Sequence, residues 1–187
     1  MDRKEAIKRT AALLGGAVFA PSLIGVLKGC TPGTGEWKPV YFNPAQSALT
    51  KTLSETIIPR TDTPGALDAG VPEFIERMVT EYYSEQQKKY FLNGMDTFME
   101  QAVEETGSAF ADLSAEERHS FAAHMNRESI RRVSLGSPQF FLMFKELVLI
   151  GFFTSEAGAT QVLRYNPVPG YFEGCVSFKE IGRAWAI

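Results

Sequence analysis

From Ser137 to Phe153 the chain reads SPQFFLMFKELVLIGFF, apolar on almost every side, with one charged pair, Lys145–Glu146, near its middle. A membrane span needs about 20 strongly apolar residues, and this run is shorter. A helix without a polar face has to be surrounded by other elements. The run is therefore expected as a central core helix, and the rest of the chain must supply amphipathic helices to cover it.

The sequence supplies them. NPAQSALTKTLSETIIP starts with Asn43 as N-cap and Pro44 at the first helical position, and Pro59 stops it. Its face holds Leu49, Leu53, Thr56 and Ile57. VPEFIERMVTEYYS opens on Pro72 and Glu73, with Phe74, Ile75, Met78, Val79 and Tyr82 at helical spacing. A third segment runs from Ser84 to Gly107 and repeats Phe91, Met95, Phe98, Met99 and Ala102. A fourth carries a capping box, Ser114 with Glu117, with acids early and arginines late as the helix dipole prefers. SEAGATQVLRY adds a turn or two after the apolar run. Beyond Asn166 the chain is rich in Pro, Gly and aromatics and reads as irregular cover. No strand alternation is long enough for a sheet. The expected class is all-α, a compact irregular bundle of five to six helices with a loop-rich C-terminal tail.

The first thirty residues have a different character. Arg3, Lys4, Lys8 and Arg9 precede an uncharged stretch from Thr10 to Leu27 that is broken by Gly15, Gly16, Pro21 and Gly25. A basic region followed by a short apolar one is the pattern of an export signal. DRKEAIK, Asp2 to Lys8, resembles a twin-arginine motif with Lys4 in place of the second arginine, and general secretion stays open as the route. LKGC, Leu27 to Cys30, resembles a bacterial lipobox with Lys28 at its −2 position. The organisation expected is an export signal over 1–29, a lipidated Cys30 and tether over 30–42, and a helical domain over 43–187. Cleavage removes five basic residues and two acidic ones, leaving 14 basic against 20 acidic, net −6. Such a chain lacks the basic face of a nucleic-acid binder. With Cys30 lipidated, Cys175 has no intramolecular partner and is expected as a free, buried thiol.

A search for chemistry finds little. His119 and His124 are about 140° apart on a helix and cannot share a metal. The spacings of zinc proteases, covalent haem, nucleotide loops and serine hydrolases do not occur. Met95 and Met99 read as core. Two acid–base groupings stand out. One is Arg60, Asp62 and Asp68 in IIPRTDTPGALDAGVPEFI, a loop made rigid and polar by Pro59, Pro64, Pro72, Gly65 and Gly70. The other is Glu156 with Arg164 and Tyr165. Each is an acid/base pair or anion site, or, more plainly, a set of turn caps and carbonyl ties.

The segments IIPRTDTPGALDAGV and FFTSEAGATQVLRYNPVPG, together with the lipoprotein-like leader, resemble the gluconate 2-dehydrogenase subunit 3 family. These are small subunits of membrane-associated FAD-dependent sugar and polyol dehydrogenases. The resemblance covers roughly Asn43 to Trp185. It implies a non-catalytic, gamma-type subunit that supports export, maturation and stability of a large glucose–methanol–choline type subunit carrying FAD. It also implies haem c on a cytochrome c subunit and no catalytic, cofactor or metal residue in this chain. The place implied is the periplasmic side of the envelope, with a lipid anchor on Cys30. Arg60 and Asp62 would then face the large subunit, or the loop would brace a groove that does. The competing expectations are a stand-alone envelope lipoprotein that binds a ligand or another protein, and an enzyme using Glu156, Arg164 or the loop acids.

Overall fold

The computed structural model describes residues 37–133, 139–168, 170–171 and 174–186. The leader, Cys30 and the segment up to Glu36 lie outside the described residues. The described unit is helical. Its elements are α1 (Pro44–Ile57), α2 (Val71–Arg77, continued by a π-turn Met78–Tyr82), α3 (Glu85–Thr106), a 3-10 turn (Phe110–Asp112), α4 (Ala115–Val133), α5 (Phe140–Thr154), a π-turn (Gly158–Val162) and a short α6 (Phe178–Ile181). One isolated parallel bridge, Arg164 with Trp185, is the extended pairing among the described residues.

Local chemistry sets the boundaries. At α1 the Asn43 side chain accepts from Gln46 N at 2.9 Å, and Gln46 Oε1 accepts from Asn43 N at 3.2 Å. The helix ends one residue short of the position before Pro59, whose ring disfavours helical backbone there. Ser84 and Gln87 form the same reciprocal cap at α3, which stops at Gly107 in the left-handed region. Ser114 and Glu117 do so at α4.

The core follows most of the expected faces. Phe91, Met95, Phe98 and Ala102 of α3 are buried, as are Leu49 and Leu53 of α1 and Val71, Ile75 and Val79 around α2. Phenylalanine rings knit these helices together: Phe98 lies 5.2 Å from Phe110 and from Phe121, and Phe91 lies 5.2 Å from Phe140. Such edge-to-face pairs add to the burial of their area. Helix α5 touches α1, α2, α3 and α4. It approaches α3 so closely that a Cβ on Gly94 would sit 2.5 Å from the Phe140 Cβ.

Three expectations change. Helix α5 is central only on one side: Leu149, Ile150 and Phe153 near its C-terminal end remain 37%, 44% and 38% exposed, because the π-turn and tail that follow it cover too little of that side. Tyr82, expected on the apolar face of α2, is 69% exposed, because it ends the π-turn, whose wider winding carries it off the α-helical stripe. Cys175 is exposed, not buried, because it belongs to the tail outside the helices. Among the described residues no helix is long and apolar enough to cross a membrane.

Candidate docking site

The loop between α1 and α2 is held by carboxylates. Glu55, on the last turn of α1, accepts from Arg60 N at 2.8 Å through one oxygen and from Leu67 N at 3.2 Å through the other. Asp68 accepts from Gly65 N at 2.9 Å and pairs with Arg60 Nε at 3.2 Å. Backbone bonds from Ala66 N to Ile58 O and from Val71 N to Ala66 O close the ends. Gly65 passes so near the clamp that a Cβ there would lie 2.6 Å from Arg60 N and 2.7 Å from Glu55 Oε1. Of the expected trio, Arg60 and Asp68 meet. Asp62 stays apart, exposed, accepting from Thr61 Oγ1 at 3.0 Å.

This loop forms one wall of an open groove of about 450 Å³. Pro59 and Leu67 come from the loop, Lys51 and Glu55 from α1, and Arg118 and His119 from the first turns of α4. Sequence reading missed Glu55, Arg118 and His119 as partners of the loop. For Glu55 a signal was present: an acid in the last turn of a helix opposes the helix dipole and needs donors of its own.

A second missed carboxylate lies on α2. Glu76 is 7% exposed. One of its oxygens accepts from Val40 N at 2.9 Å, Tyr41 N at 2.7 Å and Phe42 N at 2.9 Å, and the other accepts from Trp37 Nε1 at 3.0 Å. Burial pushes its carboxyl upward, but the bonds from Phe42, Tyr41, Trp37 and Val40 together hold it below the ordinary glutamate range. Its position was readable in principle, since Pro72, Glu76 and Val79 fall on one helical stripe.

Glu156, Arg164 and Tyr165 do not converge. The Arg164 guanidinium donates to Ile181 O at 3.1 Å and lies 4.5 Å from the centre of the Trp185 ring. It ties the tail back onto the chain. Glu156 is exposed, and its backbone carbonyl accepts from Thr160 Oγ1 at 2.7 Å. Tyr165 is exposed. Among the described residues no group of three His, Cys, Asp or Glu side chains is placed to hold a metal ion.

No curated protein and no solved structure gives a significant match to the chain. The family described as gluconate 2-dehydrogenase subunit 3 matches residues 44–170, a span that takes in the clamped loop, all of the groove and Glu76. The chain belongs to the gluconate 2-dehydrogenase subunit 3 family, named for a subunit of a gluconate dehydrogenase complex.

Proposed function

We propose that this chain is the non-catalytic small subunit of a membrane-associated gluconate or related sugar dehydrogenase complex, supporting export, maturation and stability of an FAD-containing large subunit. In this reading the flavin sits on a glucose–methanol–choline type partner and haem c on a cytochrome subunit. The leader carries the chain to the periplasmic side of the envelope, and a lipid on Cys30 keeps it at the membrane.

The supporting observation is how the charges of the family-matched loop are used. Glu55 and Asp68 face backbone N–H groups, and Arg60 faces Asp68. These groups fix a shape rather than gather around a substrate. A loop already fixed loses little entropy on docking. The test is a pull-down of the membrane-extracted protein with the flavin absorbance of the eluate recorded. A co-eluting flavoprotein is expected. A colourless protein eluting alone from mild detergent would overturn the reading in favour of a stand-alone lipoprotein.

A further inference from the structure

The groove beside the loop has a definite chemical character. From Trp37 onward the chain holds 14 basic against 19 acidic residues, so its surface is acidic on balance. The groove departs from this. Lys51, Arg118 and His119 border it, and its one acid, Glu55, is turned into the loop onto Arg60 N and Leu67 N. The side chains of Arg118 and His119 have no ion-pair partner among the described residues. Lys51 lies 5.8 Å from the Trp37 ring centre, which places a cation at the end nearest the 37–42 segment.

Apolar groups lie within this basic rim. Leu67 is 46% exposed although it belongs to a clamped turn, and Pro59 and Ala115 line the same depression. A volume of about 450 Å³ is enough for two or three side chains. The groove is open, as suits a passing chain more than an enclosed small molecule. Its wall is rigid for the reasons given above.

We propose that this groove receives an extended acidic segment of the partner subunit. An apolar side chain of that segment sits on Leu67 and Pro59, and its carboxylates face Arg118 and His119. The inference rests on the small-subunit reading and sharpens it by naming the surface and the partner's chemistry. Charge complementarity of this kind sets orientation and association rate.

The test uses the full chain co-expressed with its flavoprotein partner. A photo-crosslinking benzoylphenylalanine replaces Leu67 in one variant and Val103, an exposed residue of α3, in another. A second arm reverses charge with Arg118→Glu and His119→Glu, and thermal melting confirms that the double variant folds. Expected are a crosslink from position 67 to an Asp/Glu-rich stretch of the flavoprotein, none from position 103, and about a tenfold or greater drop in flavin recovered by the double variant. If flavoprotein co-purifies fully with the folded double variant, or position 67 crosslinks to nothing or to a basic stretch, the groove proposal is overturned while the subunit reading stands. If the unaltered chain recovers no flavoprotein, both fall together.

Discussion

Two irregular segments, residues 37–42 and residues 58–70, solve the same problem in different surroundings. Neither belongs to a helix, so each must find partners for its backbone N–H groups outside a helical ladder. In both, part of the answer is one glutamate projecting from a neighbouring helix. Glu76 gathers three consecutive N–H groups and an indole N–H. Glu55 gathers two N–H groups seven residues apart, Arg60 and Leu67. The surroundings differ. Glu76 is buried under Trp37 and Phe42, whereas Glu55 stands at the lip of the groove and remains wetted. A carboxylate away from water leaves stranded donors behind when it is removed; one at the surface leaves donors that water can reach. The buried glutamate should therefore govern stability, and the exposed one should govern shape.

The largest expected effect tests the first half of that contrast. Glu76→Gln keeps the volume but replaces one acceptor oxygen by a donor. It should lower unfolding stability by about 3 kcal/mol, read from urea titration, with Trp37 fluorescence shifting to the red as residues 37–42 come loose. The pH dependence has a definite sign. The folded carboxyl lies below the ordinary glutamate value, so its stabilisation is complete above the unfolded pKa and disappears as pH falls through the lower folded one. Stability of the unaltered protein should fall more steeply in acid than that of Glu76→Gln, and parallel curves would remove Glu76 as the cause.

Next in size is Gly65→Ala. The added methyl meets the Arg60 backbone and the Glu55 carboxylate, and the overpacking should cost about 2 kcal/mol by thermal melting. Partner recovery should fall more than stability does, because the groove wall moves. Glu55→Gln should cost about 1 kcal/mol, and hydrogen exchange at Leu67 N should quicken while the core amides stay protected. Smallest is Arg60→Ala. The surface pair with Asp68 should be worth about 0.5 kcal/mol or less, and Asp62→Ala less again. If the two loop-surface variants proved more damaging than Glu76→Gln, the ordering by burial would be wrong.

Much of the fold was legible because helices announce themselves locally. The caps at Asn43, Ser84 and Ser114 and the stops at Pro59 and Gly107 depend on residues within one turn of each other, and each stands where its pattern places it. The Phe91, Met95, Phe98 and Ala102 stripe is buried as its spacing requires. The site was less legible. Arg60 and Asp68 are eight residues apart in one turn-rich loop, and their pairing was within reach of sequence reasoning. Glu76 with residues 37–42, and Arg118 and His119 with the loop, join residues tens of positions apart. Glu156 and Arg164 are close in sequence, yet Arg164 turns to Trp185 because the tail folds back past it.

The sequence by itself determined the class, the helix limits, most of the apolar faces and the turn-forming residues of the 58–70 loop. Each of these arises from backbone and side-chain preferences acting over a few residues. Only the tertiary structure decided which side of α5 is covered, what holds residues 37–42, and which charges share a groove. Those outcomes depend on the angle and depth at which helices pack. The fold also set the protonation of Glu76: burial alone would push its carboxyl upward, and the N–H groups of residues 37–42 that it accepts from hold it below the ordinary range instead.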